Sequence, residues 1–209
     1  LFRSASTGAS LMLGSTGGIT NDASANVGIT NNANFTGAAA LPNLKINEVG
    51  VSSASNDFVE LYNPTGSAID LASSQIFLQR DSSCDLTNGV TEVLALSGTV
   101  AAGGYYVVAN SGHSLSNVNA ANLGNISTGY CLALTATNIP IGATTNSFIV
   151  DWVTIAGAGS AENGSRAPDT GANGAISRMA NGTDTNMNAA DFLVRAASPG
   201  AINGSPTFT

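Results

Sequence analysis

Residues 46–64 read INEVGVSSASNDFVELYNP, and this stretch decides the fold class. Apolar and polar residues alternate in Lys45–Val49 and again in Asp57–Tyr62, where a doubled apolar step suits a β-bulge. Alternation with a period of two is typical of a strand with one buried face. Asn63-Pro64-Thr65-Gly66 then predicts a turn, because Pro fixes φ and Gly permits positive φ. The stretch therefore predicts two adjacent strands followed by a turn.

Short β-rich segments recur along the rest of the chain. We predict strands centred on 45–51, 57–62, 69–71, 75–80, 91–96, 104–109, 130–135, 147–155, 174–179 and 192–196. The dipeptide Asn-Gly favours tight turns with positive φ, and it occurs at 88–89, 163–164, 173–174, 181–182 and 203–204. Helical periodicity is not sustained in any window. The pattern predicts an all-β sandwich or barrel, with a long loop over 111–128.

Two further phrases follow the first in a fixed order. Residues 104–110 read GYYVVAN, and residues 182–203 read GTDTNMNAADFLVRAASPGAIN. Together the three phrases resemble the lamin tail domain family, in the form found in secreted prokaryotic proteins. The resemblance covers roughly residues 44–203 and implies an immunoglobulin-like β-sandwich that serves as a structural or binding module. The chain departs from the family pattern at one point. Family members usually have a Gly-Trp pair just after Asp-Leu, but here residues 72–75 are Ala-Ser-Ser-Gln, and the only tryptophan is Trp152.

Composition narrows the classes of partner. Charged residues make up 9% of the chain, against about 25% in average soluble proteins. The formal net charge is −7 and Lys45 is the only lysine, which argues against binding to nucleic acid or to anionic membranes. No apolar run approaches a membrane span, and the longest, 147–156, predicts a core strand. A neutral surface of Ser, Thr, Asn, Gly and Ala is typical of secreted surface proteins and fibre subunits.

The N-terminal part of the chain has a different composition. We predict a low-complexity extension over 1–43 and the β-sandwich over 44–209. The extension repeats Gly-Ile-Thr-Asn at 18–21 and 28–31, but two copies are too few for a solenoid. We expect it to add a strand to the sheet edge of a neighbouring copy. The expected subunit contacts are Leu11, Leu13, Ile19, Val27 and Ile29.

The first residue and the two cysteines both bear on whether the protein is exported. The chain starts at Leu1, which suits either a removed leader or a trimmed chain. Export would allow a disulfide between Cys84 and Cys131. The alternative is two separate buried thiols. We expect the disulfide, because the composition favours a secreted or cell-surface location.

One segment has the spacing of a calcium loop. Asp184, Asn186 and Asn188 follow the pattern that directs oxygen ligands inward, and Asp191 is a further candidate. The match is incomplete, because the expected glycine is Ala189 and the closing glutamate is absent. In the alternative, Asp184 and Asn186 cap turns through backbone amides. We expect no metal and no other cofactor, with calcium as the less favoured possibility.

The remaining polar candidates do not form a catalytic set. Glu48 and Glu60 on adjacent strands have the chemistry of a glycosidase acid and base. We expect instead that both face solvent on the outer side of the sheet, near Lys45 or Arg178. His113 is the only histidine, it is expected in an exposed loop, and no Gly-x-Ser-x-Gly elbow is present. We therefore expect no enzymatic activity.

Two functions stay open at this point. The first is a non-enzymatic exported protein that repeats as the subunit of an extracellular filament, sheath or surface layer, with copies of itself as partners. The alternative is a monomeric adhesion module that binds a polysaccharide or another surface ligand. The extension over 1–43 favours the first, because a monomeric binder does not need a segment that links copies.

Overall fold

The computed structural model describes residues 20–21, 27–28, 40–52, 56–82, 84, 90–141, 148–157, 159–171 and 173–204. The chain divides into two compact units, Leu1–Ala40 and Leu41–Thr209. In the first unit, strand β1 (Thr20–Asn21) pairs antiparallel with β2 (Val27–Gly28). Val27 therefore has a described backbone. The other expected subunit contacts, Leu11, Leu13, Ile19 and Ile29, lie outside the described residues.

The second unit is built almost entirely from strands. They are β3 (Lys45–Ser52), β4 (Phe58–Tyr62), β5 (Ile69–Asp70), β6 (Phe77–Asp81), β7 (Glu92–Ala95), β8 (Thr99–Val100), β9 (Tyr105–Asn110), β10 (Ala120–Leu123), β11 (Cys131–Thr135), β12 (Ile149–Thr154), β13 (Asn173–Arg178) and β14 (Phe192–Arg195). A short 3₁₀ turn covers Glu162–Gly164, and helix α1 covers Asn188–Asp191. No helix in the described residues is long and apolar enough to cross a membrane.

The strands form two main sheets. One has six strands in the order β10-β9-β4-β3-β13-β14, and the other has four in the order β12-β11-β6-β7. Within them only β10 and β9 pair in parallel. A small ribbon joins β5 to β8. This arrangement confirms the predicted all-β, immunoglobulin-like β-sandwich.

The core lies between the two main sheets. Alternate residues of the six-stranded sheet and of the four-stranded sheet bury their side chains in one apolar cluster, which includes Val49, Leu61, Val108, Leu78, Leu132 and Val153. These side chains have no exposed surface. Burying each one is worth about 1.5–3 kcal/mol relative to leaving it in water. The alternation read from the sequence is therefore the source of the sandwich.

Each predicted segment contains a strand, but some local predictions are wrong. The predicted loop over 111–128 contains β10. Asn173-Gly174 lies inside β13 and not in a turn, and a Cβ on Gly174 would meet the Thr170 carbonyl oxygen at 1.9 Å. Glycine is required there for close backbone approach and not for a hairpin. The bulge falls at Asn47 on β3, where the register with β4 shifts, and not in β4 itself.

The predicted disulfide between Cys84 and Cys131 is present, with the two Cα atoms 5.5 Å apart. It ties the segment after β6 to the start of β11. Trp152 and Ile149 of β12 pack against it, so the only tryptophan lies in this cluster. Because the sulfurs are bonded, the alternative of two separate thiols is wrong.

Candidate functional site

The main polar centre of the molecule is Arg178, which is completely buried at the end of β13. Its Nη2 donates to both carboxylate oxygens of Asp151 at 3.0 and 2.9 Å. Its Nε donates to the Ile46 carbonyl at 2.8 Å, and its Nη1 to the Thr183 carbonyl at 2.8 Å. The guanidinium carbon also lies 4.7 Å from the centre of the Phe192 ring. All three nitrogens therefore donate, as a buried guanidinium requires.

This ion pair joins the two sheets. Arg178 belongs to the six-stranded sheet and Asp151, on β12, to the four-stranded sheet. Asp151 also accepts the backbone N–H of Ile46 at 2.6 Å. The pairing of β13 with β3 ends at Ser177 and Glu48. Beyond that point the backbone of Ile46 binds side chains instead, because Asp151 accepts its N–H and Arg178 donates to its carbonyl. The pair fixes one sheet relative to the other.

Asp184 lies at the rim of this centre, in the loop before α1. Its Oδ2 accepts Lys45 Nζ at 2.6 Å, and its Oδ1 accepts the backbone N–H of Asn186 at 2.9 Å. Arg178 Nη1 lies 3.4 Å from the same Oδ1. Burial alone would raise the pKa of Asp184, but the hydrogen bonds from Lys45 and Asn186 and the charge of Arg178 hold it below the ordinary value.

Three carboxylates meet here. Oxygens of Asp151, Glu162 and Asp184 lie within 4.8 Å of one another. Burial and the two neighbouring aspartates raise the pKa of Glu162 to about 7. A divalent cation would have to compete with the charges of Lys45 and Arg178, which already bind Asp184 and Asp151. Two of the three carboxylates are thus already paired with the chain's own cations, which makes the site less favourable for a metal.

The predicted calcium residues are not brought to one point. Asp191 accepts from Thr185, through its backbone N–H at 2.9 Å and its Oγ1 at 2.7 Å, and lies 3.3 Å from Arg178. Asn186 has a positive φ of 57° and its N–H donates to Asp184, as in the turn-capping alternative. Asn188 points elsewhere. The expectation that no metal binds remains a prediction.

Asn188 protects the edge of β12. Its side-chain oxygen accepts the Thr154 N–H at 3.2 Å, and its Nδ2 donates to the Trp152 carbonyl at 3.1 Å and to Glu162 at 2.9 Å. One side-chain amide thus takes the place of a peptide group of a neighbouring strand. Strand edges with free backbone groups promote association, and this contact covers part of one such edge.

The prediction that Glu48 and Glu60 face solvent is wrong, because both are completely buried. Glu48 accepts Ser177 Oγ at 3.0 Å and the Ser198 N–H at 3.1 Å. Glu60 accepts Asn47 Nδ2 at 2.8 Å and the Gly200 N–H at 2.6 Å. The segment after β14 therefore folds back over these strands.

Lys45 and Arg178, which we expected beside the two glutamates, pair with Asp184 and Asp151. Burial, and the charge of Glu48, raise the pKa of Glu60 to about 7. The carboxylate oxygens of Glu48 and Glu60 accept hydrogen bonds from the protein's own amides and hydroxyls, so these two glutamates have the contacts of structural residues.

His113 is half-buried, where we expected an exposed side chain. It lines a shallow, open depression with Leu115, Val118 and neighbouring residues up to Ala121. That lining contains no carboxylate, serine or cysteine, so a nucleophile and an orienting acid are both missing from it. The depression has the features of a binding surface at most.

The chain was compared with known proteins. The family model described as Lamin Tail Domain matches residues 37–165. The match spans β3 to the 3₁₀ turn at Glu162–Gly164. No curated protein matches the chain.

Proposed function

The chain belongs to the lamin tail domain family, a family of immunoglobulin-like domains that points to a structural or interaction module without catalysis, and we propose that it is an exported structural protein. In this proposal it repeats as the subunit of an extracellular filament, sheath or surface layer. Its partners are copies of itself. The location is outside the cell or on its surface.

One observation carries this proposal: the described residues expose almost no charge. Among their charged side chains, only Asp70 and Asp169 are exposed, and six more are half-buried. Eight others, including Arg178, Asp151 and Glu60, are buried. The exposed side chains among the described residues are therefore mostly neutral, with a few large apolar ones such as Met179, Met187 and Ile202. The short neutral side chains lose little rotamer entropy when buried, and few ions must be desolvated when two copies meet.

The internal cross-links suit the same role. The disulfide between Cys84 and Cys131 is of the kind that persists in oxidising compartments. The Arg178–Asp151 pair ties the two sheets together. A subunit that transmits load through a polymer benefits from both, because each opposes separation of the strands.

The test uses the purified full chain. We expect sedimentation to give large assemblies and negative-stain microscopy to give filaments or sheets. Because few ions take part, we expect assembly to depend little on salt. A chain that stays monomeric at high concentration would contradict the proposal.

A matched pair of variants makes the test specific. Ala72, Ala95, Ala121 and Ala190 are exposed and lie on different parts of the domain. Replacing all four by lysine should disperse the assemblies while the melting temperature stays nearly unchanged. Replacing the same four by serine should leave assembly intact. If the lysine variant assembles like the unmodified chain, the neutral surface is not what links the copies.

The second candidate is a monomeric adhesion module for a polysaccharide. The observation in its favour is the depression beside His113, whose lining includes the amide side chains of Asn117 and Asn119. Amides of this kind hydrogen-bond sugar hydroxyls. Binding of the monomer to a polysaccharide array, lost in an Asn117→Ala variant, would favour this function over the first; Asn119 is left in place because its side-chain oxygen accepts the Val107 N–H at 2.8 Å.

A further inference from the structure

Lys45 is the only lysine of the chain, and it does not lie on the open surface. Its Nζ lies 2.6 Å from Asp184 Oδ2, and the two side chains are only 16% and 9% exposed. Lys45 begins β3, the first strand of the six-stranded sheet, while Asp184 lies 139 residues later, between β13 and α1. The contact therefore joins the beginning and the C-terminal part of the sandwich sequence.

The other oxygen of Asp184 is held from a different side. Oδ1 accepts the backbone N–H of Asn186 at 2.9 Å, and Arg178 Nη1 lies 3.4 Å away. An N–H group and a guanidinium at one carboxyl oxygen form the arrangement that stabilises a tetrahedral oxyanion. Oδ2, beside the amine, is left as the oxygen that can depart.

A third carboxyl group completes the set. Glu162 has an oxygen within 4.8 Å of both Asp184 and Asp151, and its side chain is oriented by Asn188 Nδ2 at 2.9 Å. It is half-buried in the 3₁₀ turn. We propose that Lys45 and Asp184 become joined by an intramolecular isopeptide bond, with Glu162 as the group that transfers protons between them.

The reaction is a condensation and needs no oxidant or cofactor. Glu162 carries a proton from the Lys45 ammonium to Oδ2 of Asp184, so that a neutral amine faces a neutral carboxyl group, and the amine then attacks Cγ of Asp184. The new N–C bond forms as negative charge moves to Oδ1. Nζ then releases a second proton through Glu162, and Oδ2 departs with both protons as water. The ammonium thus loses two protons, the carboxylate loses one oxygen, and the products are one amide and one water.

The surroundings favour this outcome over a permanent ion pair. Burial penalises the separated charges of Lys45 and Asp184, whereas an amide and a released water carry none. Glu162, whose pKa is raised to about 7, is available both as acid and as base near neutral pH. Proximity supplies the rest, because Nζ of Lys45 already lies 2.6 Å from Oδ2, which is bonded to the Cγ that it would attack.

The cross-link would add a covalent tie where the fold has only a salt bridge. It would close a loop of 139 residues around most of the sandwich. Force applied between β3 and the part of the chain after β13 would then be carried by a covalent bond as well as by the hydrogen bonds between strands. This inference rests on side-chain geometry and does not depend on whether the chain polymerises.

The first test is the mass of the full chain, measured after denaturation. We expect a mass below that of the sequence by one water, in addition to the two hydrogens lost in the disulfide. Digestion should give one peptide that contains both Lys45 and Asp184. Because Lys45 is the only lysine, an amine reagent applied to the denatured, reduced chain should label the N-terminal amine alone. A chain of full mass whose Lys45 is labelled is joined only by an ion pair, and that result overturns the proposal.

Variants test the role of each residue. Lys45→Arg keeps a cation but has no nucleophilic amine, so it should show no loss of water. The Glu162→Gln variant should not lose a water, and its Lys45 should still react with the amine reagent. The matched control is Glu92→Gln, since Glu92 pairs with Arg80 at 2.9 Å. This control should form the bond as the unmodified chain does. If Glu162→Gln also loses water, the role assigned to Glu162 is wrong although the bond stands; if Lys45→Arg fails to fold, the mass of the unmodified chain still decides.

Discussion

Glu48 and Glu60 lie directly opposite each other on β3 and β4, and both side chains are completely buried. Two like charges in this position repel each other. The N–H groups of Ser198 and Gly200, from the segment after β14, each bind one of them. The C-terminal segment is therefore fastened to the sheet by two carboxyl groups whose charge is costly there.

This arrangement predicts that stability depends on pH. The pKa of Glu60 is raised from 4.5 to about 7, so the folded state binds its proton more tightly than the unfolded state. Stability from this group is complete below pH 4.5 and is lost as the pH rises through about 7. Glu162 acts in the same direction. We expect the melting temperature to fall between these pH values, and Glu60→Gln to flatten part of that fall. An equal pH dependence in the variant would show that Glu60 is not responsible.

The second prediction concerns the buried pair of Arg178 and Asp151. Arg178→Met should lower the free energy of unfolding by about 3–5 kcal/mol, because it leaves the Asp151 carboxylate buried without its partner. The double variant Arg178→Met/Asp151→Leu should recover part of the loss, because no buried charge is left without its Arg178 or Asp151 partner, although Ile46 loses its side-chain partners. Urea unfolding of both variants measures the difference. Equal stability of the single and double variants would contradict this account.

The third prediction concerns the disulfide. Removing it with Cys84→Ser/Cys131→Ser should cost about 4 kcal/mol in the chain-entropy model, since the bridge spans a separation of 47 residues. Intact-mass analysis of the unreduced chain should find no thiol that can be alkylated. Two labelled thiols before reduction would mean that the bridge does not form in solution.

The fourth prediction concerns calcium. A chelator should leave the melting temperature unchanged, because Asp184 and Asp191 are bound by Lys45, Thr185 and Arg178. The control is Asp184→Ala, whose melting temperature should respond to chelator no differently. A drop of many degrees in the unmodified chain, absent from Asp184→Ala, would assign a calcium site to this loop.

The fifth prediction concerns the extension. A chain that begins at Leu41 should fold and melt cooperatively, since the core cluster between the sheets starts at Leu44. It should form no polymers, because we expect assembly to need the extension as well as the neutral surface of the sandwich. A truncated chain that fails to fold would place the extension in the domain's own core. One that folds and still polymerises would place the contacts between sandwich surfaces.

Local patterns were enough to predict most of the strands. The alternation around Glu48 and Glu60 correctly predicted β3 and β4, because the side chains of a strand point to opposite faces in turn. The same pattern failed for β10, whose Ala-Ala-Asn-Leu shows no clear alternation and which is held by its parallel pairing with β9. Asn173-Gly174 misled the prediction because the close Thr170 backbone, not a turn, requires the glycine.

The sequence by itself determined the all-β class and the low proportion of charge, because these depend on short-range periodicity and on composition, and it indicated the family through the resemblance of three short phrases. Only the tertiary structure decided that Glu48 and Glu60 are covered, that Arg178 joins the two sheets, and that Lys45 meets Asp184. Alternation tells which residues share a face of a strand, but not which distant segment packs on that face. The contact between Lys45 and Asp184 spans 139 residues, and it exists because the sheet brings β3 and β13 side by side.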